Sequence, residues 1–275
     1  MQEPIKLPAI SEYIWDQKYR LKAADGSPRE ATLSETWARV AKAAATPEKK
    51  RDRARTEQQF FDAMDDLAFL PAGRIIAGAG SGRQVTLFNC FVMAAIEDDL
   101  TSIFDNVKEA ALTMQRGGGI GHDFSTLRPA GALVRSVGAG ASGAVSFMDV
   151  WDAMCRTIMS AGQRRGAMMA TLRCDHPDIE AFIDAKSDPA RLRNFNLSVL
   201  VTDKFMTAVH QDRDWALTFG GTVYRTIKAR ALWKKNSPKS SSEPLMGSPS
   251  KRRCRSGRCH PRGRTIKVAT RSPSA

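Results

Sequence analysis

The chain of 275 residues contains 42% hydrophobic and 26% charged residues and carries a formal net charge of +13 at pH 7. This composition excludes a collagen-like protein, a wholly disordered protein and a small disulfide scaffold. Because the chain has no run of about 18 apolar residues and begins without the apolar segment of a signal peptide, we expect a cytoplasmic protein with no membrane partner.

Residues 1–84 are predicted to form an N-terminal helical region. Ser34 can cap the first long helix, and apolar residues recur at helical spacing between positions 60 and 68. Pro71 ends this pattern, and a glycine-rich stretch follows at residues 73–82. We therefore expect a helical cap in front of a second domain.

Strands and helices alternate over residues 85–235. An apolar, β-rich run at residues 85–93 predicts a buried strand. Amphipathic helices separate it from three further predicted strands, at residues 167–172, 195–201 and 215–219. This alternation predicts an α/β sheet or barrel with partly parallel strands. Because the pattern stops at Trp233, we expect the domain to be incomplete.

Residues 236–275 hold most of the net positive charge, with ten Lys or Arg against one acid, Glu243, and they also contain nine Ser and five Pro. Since this segment lacks apolar periodicity, it cannot bury enough surface to offset the entropy of ordering. We predict a disordered basic tail foreign to the rest of the chain, as an out-of-frame translation would be. The alternative is a functional tail that attracts phosphate, which would make nucleic acid a partner.

The five cysteines are odd in number and widely scattered, which favours free thiols or a redox couple over structural disulfides. Cys155 and Cys174 are expected to be structural. Cys90 lies within the predicted strand and is either a buried structural thiol or a redox group. We predict no metal site, since the remaining candidates lack a second pair of zinc ligands: Cys254, Cys259 and His260.

Two glycine-rich stretches do not fit a phosphate-binding loop. Residues 78–82 precede a predicted strand instead of a helix, and residues 116–121 follow a helix end, where the dipole repels anions. Gly118 and Gly119 could still let a ligand approach the backbone closely. Three histidines show no spacing typical of a catalytic triad or metal site and are predicted to be surface or capping residues: His122, His176 and His210.

Four short motifs carry a resemblance to a known family. They are residues 69–74 (FLPAGR), 88–92 (FNCFV), 116–121 (RGGGIG) and 127–131 (LRPAG). In order and spacing they are similar to the large catalytic chain of ribonucleotide reductases, above all the adenosylcobalamin-dependent class II form, over about residues 1–235. The resemblance implies a radical enzyme that replaces the ribose 2′-hydroxyl by hydrogen, built on a ten-stranded α/β barrel of which this chain would hold the first half.

The resemblance also assigns roles to individual residues. Cys90 stands where the family has a cysteine that supplies reducing equivalents and is oxidised to a disulfide. Loss of the hydroxyl as water needs two electrons, which a dithiol provides. The implied substrate contacts are Arg74, Asn89, Cys90, Gly118 and Gly119.

An allosteric site at a dimer interface is implied as well, where a deoxynucleoside triphosphate selects the base to be reduced. Asp98, Arg128 and Arg135 match residues that hold the ribose and phosphates of this effector, and residues 186–196 resemble the loop that links effector to substrate. Guanidinium groups suit phosphate oxygens, although solvated surface arginines are the alternative. The implied cofactor is adenosylcobalamin, and the implied partners are a ribonucleotide substrate, the effector, a thioredoxin-type reductant and a second copy of the chain.

Two features of the family pattern are missing from the sequence. It has neither the Asn-Pro-Cys-Gly-like motif of the radical cysteine nor the second cysteine of the dithiol couple. The leading hypothesis is therefore an inactive N-terminal part of a class II ribonucleotide reductase, residues 1–235, followed by an unrelated tail. The alternatives are a non-catalytic module for deoxynucleotide binding or dimerisation, and a protein that binds nucleic acid through the tail.

Overall fold

The computed structural model describes residues 8–134, 138–158, 168–188 and 190–236, and the backbone of Arg264–Lys267. The chain divides into two compact units, the first comprising Met1–Asn89 with Arg116–Gly118 and the second the remaining residues. Among the described residues, no helix combines the length and apolar character needed to cross a bilayer.

The first unit is helical, which confirms the prediction for the N-terminal region. Its helices are α1 (Ala9–Lys18), α2 (Leu33–Ala45), α3 (Lys50–Asp65) and α4 (Gly73–Gly78). The N-cap of α2 is Thr32, not the predicted Ser34, because the Thr32 hydroxyl accepts from the Glu35 backbone N–H. The glycine-rich stretch at residues 73–82 begins with a helix, α4.

A small apolar core and a buried polar network hold the first unit together. Trp37 and Val40 of α2 pack with Met64 of α3 and Ile76 of α4. The carboxylate of Glu30 lies at the centre of this network and accepts hydrogen bonds from Arg39 and from the Thr36 hydroxyl.

The second unit contains a sheet flanked by helices. In chain order its elements are β1 (Cys90–Val92), α5 (Leu100–Gln115), β2 (Gly119–Asp123), β3 (Leu133–Val134), β4 (Ala139–Gly140), α6 (Ala144–Thr157), β5 (Met168–Arg173), α7 (Ile179–Asp184), β6 (Phe195–Val201), α8 (Asp203–His210), β7 (Asp214–Phe219), β8 (Thr222–Lys228), α9 (Ala229–Asn236) and β9 (Arg264–Lys267).

The main sheet has the strand order β1-β2-β5-β6-β9. Its first four strands are parallel, with Cys90 opposite Gly119 and Met168 opposite Phe195 in register, which confirms the predicted parallel α/β arrangement. Strands β7 and β8 form a separate antiparallel hairpin. The second of these, β8, was not predicted.

The core of the second unit lies between the sheet and its helices. Trp151 of α6 is fully buried and packs edge-on against Phe124, with ring centroids 5.3 Å apart. Phe124 follows β2 and also contacts Phe195 of β6. These aromatic contacts fix α6 against the middle of the sheet.

Two predictions about strands are wrong. The strand expected at residues 85–93 is confined to Cys90–Val92, an edge strand with Cys90 exposed. The predicted disordered tail contains a strand, β9, which pairs antiparallel with β6. Strand β9 can form because one edge of β6 is otherwise free, and the backbone groups at a free edge can pair with an extended segment. The rest of residues 237–275 lies outside the described residues.

Candidate functional site

The thiol assigned to redox chemistry lies at the beginning of β1. Cys90 is exposed and free, so the interpretation as a buried structural thiol is wrong. The other two described cysteines are buried, and burial raises the pKa of the Cys155 thiol to about 11 and that of Cys174 to about 12. Since the thiolate is the reactive form, both buried thiols are unreactive near neutral pH. Cys90 is therefore the accessible thiol of the described part of the chain.

Among the residues predicted to contact substrate, the structure brings Cys90 and Gly119 together as register partners on β1 and β2. Gly117, with φ of 90°, ends the turn after α5 in a conformation that favours glycine, and Gly118 follows it. Arg74 lies in α4 and Asn89 directly precedes β1, both in the first unit together with Gly118.

Two residues predicted to bind the effector form an ion pair. Asp98 follows β1 and Arg128 follows β2, so both stand beyond the carboxyl ends of neighbouring parallel strands. The Asp98 carboxylate accepts from Arg128 Nε at 2.7 Å and from its backbone N–H at 3.1 Å, and Arg128 Nη2 donates to the Asp98 carbonyl at 3.1 Å. The third predicted residue, Arg135, lies outside the described residues.

Sequence reasoning missed two polar residues beside Arg128. His176 is buried, contrary to the prediction of a surface or capping residue, and its Nε2 lies 2.9 Å from the Leu127 carbonyl oxygen. Asp178 accepts from the backbone N–H of Ala130 at 3.1 Å and of Ala144 at 3.2 Å. The available signal was the segment Cys-Asp-His-Pro-Asp at residues 174–178, which is rich in polar residues and closely follows a predicted strand.

His122 is also buried, so the surface prediction is wrong for it as well. Trp151 Nε1 donates to His122 Nε2 at 3.2 Å, and burial lowers the pKa of the imidazole from 6.5 to about 4. It is therefore neutral near pH 7 and belongs to the core between β2 and α6. The third histidine, His210, is exposed at the end of α8, as predicted.

Residues 186–196, which resemble a loop that links effector to substrate, are hydrogen-bonded to α6 through Asn194. Asp152, buried on α6, accepts from the Asn194 backbone N–H at 3.1 Å and from its side-chain amide at 3.2 Å. Lys186 Nζ donates to the Leu192 carbonyl at 2.7 Å. These bonds restrain the segment directly before β6. Residue 189 lies outside the described residues.

Described residues contain no group of three or more His, Cys, Asp or Glu side chains arranged to hold a metal ion. The polar groups around Arg128 are instead committed to one another and to backbone. The arrangement provides an exposed thiol at one end of β1 and a guanidinium beyond the other end. The described part of this arrangement thus combines an accessible thiol with a guanidinium that is paired with Asp98.

Comparison with known proteins gives consistent matches along the chain. Residues 88–241 match the family model "Ribonucleotide reductase, barrel domain", and residues 6–84 match "Ribonucleotide reductase, all-alpha domain". The vitamin B12-dependent ribonucleoside-diphosphate reductase of Mycobacterium tuberculosis strain H37Rv is 38% identical over 215 residues, which is 77% of this chain and 30% of the relative.

Two further relatives show how far the similarity extends. The vitamin B12-dependent ribonucleoside-diphosphate reductase of Thermoplasma acidophilum is 39% identical over 178 residues, or 64% of this chain and 23% of the relative. The ribonucleoside-diphosphate reductase subunit alpha of Chlamydia muridarum is 26% identical over 185 residues, or 66% of this chain and 17% of the relative. The chain spans less than a third of the length of these relatives.

Proposed function

Since the chain belongs to the ribonucleotide reductase family, we propose that it supplies the reducing thiol and the effector site of an enzyme that makes deoxyribonucleotides for DNA synthesis. The observation that carries this proposal is the exposed Cys90 thiol, paired in register with Gly119 at the edge of the parallel sheet. In the proposal, this sheet is the first half of a ten-stranded barrel.

The proposed reaction exchanges a C2′–OH bond for a C2′–H bond. The hydroxyl leaves as water, and two thiols are oxidised to one disulfide, which balances the two electrons that the sugar gains. Cys90 provides one of these thiols. Burial and a raised pKa make Cys155 and Cys174 poor second thiols, so we assign the second to another part of the intact enzyme. A thioredoxin-type protein would reduce the disulfide again.

For substrate binding we propose Arg74, Asn89, Gly118 and Gly119 in addition to Cys90. A glycine backbone allows a nucleotide to lie directly against the main chain, and a guanidinium can pair with its phosphates. The names of the relatives from Mycobacterium and Thermoplasma make a ribonucleoside diphosphate, such as CDP, the substrate to test first.

For effector binding we propose that Asp98 holds the ribose and that Arg128, with Arg135, holds the phosphates of a deoxynucleoside triphosphate. The Asp98 and Arg128 side chains are 31% and 32% exposed. A partly exposed ion pair contributes only about 0.2 to 1 kcal/mol, because water and salt screen it. A phosphate group can therefore compete with Asp98 for the Arg128 guanidinium, which has further N–H donors to offer.

We further propose that α5 forms the contact with a second copy of the chain. Leu100, Phe104 and Leu112 are exposed; Leu100 and Phe104, four residues apart, are neighbours on the helix surface, and Leu112 lies further round the exposed side. Exposed large apolar side chains on one helix face are typical of an interaction surface. This location suits an effector site at a dimer interface, because Asp98 lies two residues before the start of α5.

The proposed radical initiator of the intact enzyme is adenosylcobalamin, named as vitamin B12 in the relatives from Mycobacterium and Thermoplasma. When bound, it supplies the radical. His122 and His176 are both buried, His122 Nε2 accepts from Trp151 Nε1, and both ring nitrogens of His176 meet backbone groups. We assign the corrinoid contacts to other parts of the intact enzyme and propose that the 275-residue chain alone does not turn over.

Residue-resolved alkylation tests the placement of substrate. Purified chain is treated with iodoacetamide, and each cysteine is followed by mass spectrometry with and without about 1 mM CDP. We expect Cys90 to react well before Cys155 and Cys174, and CDP to slow Cys90 alone. Equal rates for Cys90 with and without CDP would contradict the substrate assignment.

A turnover assay tests the second half of the proposal. With adenosylcobalamin, a dithiol and CDP, the chain is expected to form no dCDP. Formation of dCDP that is lost in Cys90→Ser would show instead that the chain holds a complete radical site.

A further inference from the structure

The backbone on both sides of Arg128 is held by one short segment of the chain. On one side, the Leu127 carbonyl lies 2.9 Å from His176 Nε2, and on the other, the Ala130 N–H donates to the Asp178 carboxylate at 3.1 Å. Only Arg128 and Pro129 lie between these two contacts. A segment nearly 50 residues away in sequence thus brackets the proposed effector arginine.

The two bracketing residues also hold each other. The Asp178 backbone N–H donates to His176 Nδ1 at 3.1 Å, so Nδ1 is an acceptor and Nε2 carries the proton donated to Leu127. Burial lowers the pKa of His176, which keeps the ring in this neutral form near pH 7. Both ring nitrogens are then satisfied by backbone groups.

Asp178 has a third role at the start of α6. Its carboxylate accepts from the Ala144 N–H, and a Cβ added at Gly143 would lie 2.7 Å from both Asp178 Oδ2 and the Ala130 N–H nitrogen. Gly143 also has φ of 83°, so glycine is required there on two grounds. The Asp178 carboxylate therefore occupies the first N–H of α6 and links this helix end to the Ala130 backbone.

The segment that contains His176 and Asp178 is anchored in the core of the second unit. Asp178 is the N-cap residue of α7, yet its side chain makes no hydrogen bond to that helix and is directed to the neighbouring elements. Ile179 and Phe182 of α7 are fully buried in the core. The carboxylate is therefore presented by an element that cannot move without disrupting the core.

From this geometry we propose that His176 and Asp178 are positioning residues, which hold the Leu127–Ala130 backbone so that Arg128 meets the phosphates of the effector. The inference rests on the proposed effector role of Arg128. Asp178 acts through the main chain of Ala130 and Ala144 and does not itself touch the nucleotide.

The test compares Asp178→Asn with Asp175→Asn in the full chain. Asn keeps the size of the side chain but replaces one acceptor by a donor that faces backbone N–H groups. Asp175 is the matched control, because its carboxylate pairs with Arg173 instead. His176→Asn is the second variant: it can still accept from the Asp178 N–H but loses the donor to Leu127.

Two measurements are made on each variant. The first is the ¹⁵N resonance of Arg128 Nε without nucleotide, assigned by its loss in Arg128→Lys. The second is the dissociation constant for dTTP by calorimetry. We expect Asp178→Asn and His176→Asn to shift the Nε resonance and to weaken dTTP binding about tenfold, while Asp175→Asn changes neither.

The outcomes separate this inference from the proposed function. If both variants fold and leave the Nε resonance and dTTP affinity at their wild-type values, the positioning role is overturned. If the wild-type chain gives no heat with dTTP while Asp178→Asn still shifts the Nε resonance, the positioning of Arg128 is supported and its effector role is contradicted.

Discussion

At the residue scale, the buried ion pair of the first unit has the largest expected effect on stability. Arg39 Nε donates to Glu30 Oε1 at 2.5 Å, and the two side chains are 10% and 5% exposed. Burial favours the protonated acid, but hydrogen bonds from Arg39, the Leu21 N–H and Thr36 hold the pKa of Glu30 below its usual 4.5. The carboxylate is therefore charged at neutral pH and balances a buried guanidinium.

Glu30→Gln is expected to lower the free energy of unfolding of the first unit by about 3 to 5 kcal/mol, because Arg39 is left buried without its counter-charge. Urea denaturation followed by circular dichroism measures the change. Glu12→Gln, at an exposed position in α1, is the control and should cost less than about 0.5 kcal/mol. Equal stability of the two variants would contradict a structural role for the pair.

His122 makes stability depend on pH. Its folded pKa of about 4 lies below the unfolded value of 6.5, so between these values the unfolded chain binds a proton that the folded chain excludes. The contribution is fully present above pH 6.5 and is lost as the pH falls towards 4, by about 3 kcal/mol. His176, whose pKa is also lowered, acts in the same direction.

His122→Phe should flatten the dependence of unfolding free energy on pH between 4 and 6.5, since the titrating group is removed while the aromatic volume is kept. Denaturant titrations at several pH values measure this slope. His210→Gln, at an exposed position in α8, should leave it unchanged. An unaltered slope in His122→Phe would show that other groups cause the acid sensitivity.

At the element scale, helix α5 carries the proposed contact with a second copy. Phe104→Glu places a charge among its exposed apolar side chains and should weaken self-association by about tenfold or more. Sedimentation velocity over a range of protein concentrations measures this. Val223→Glu, on the exposed apolar surface of the β7–β8 hairpin, is the control. A wild-type chain that stays monomeric at all concentrations would contradict the proposed interface.

Sequence patterns predicted elements well where both faces of a strand are covered. The apolar run at Phe195–Val201 predicts β6 with its observed bounds, and β5 differs from its predicted range by one residue at each end. Residues 85–93 are equally apolar, yet only Cys90–Val92 pair, because β1 has a neighbour on one side alone. Periodicity cannot distinguish a central strand from an edge strand.

At the scale of the whole molecule, the sequence placed Asp98 and Arg128 in one site through family resemblance, and the parallel order of β1 and β2 explains why they meet. The contribution of His176 and Asp178 could not be predicted. It depends on two segments of the chain, 48 or 49 residues apart, that come into hydrogen-bond contact in the fold. No local sequence pattern specifies such a contact. Strand β9 escaped prediction for the same reason, since only the free edge of β6 gives residues 264–267 a partner.

If Arg128 belongs to a site for a deoxynucleoside triphosphate, a calorimetric titration of the full chain with dTTP should show saturable binding. Arg128→Ala should weaken this binding by about tenfold to a hundredfold. The control Arg55→Ala, at an exposed position in α3, should bind like the wild type. Absence of heat up to about 1 mM dTTP, or equal affinity of Arg128→Ala and the wild type, would show that Arg128 does not bind the effector.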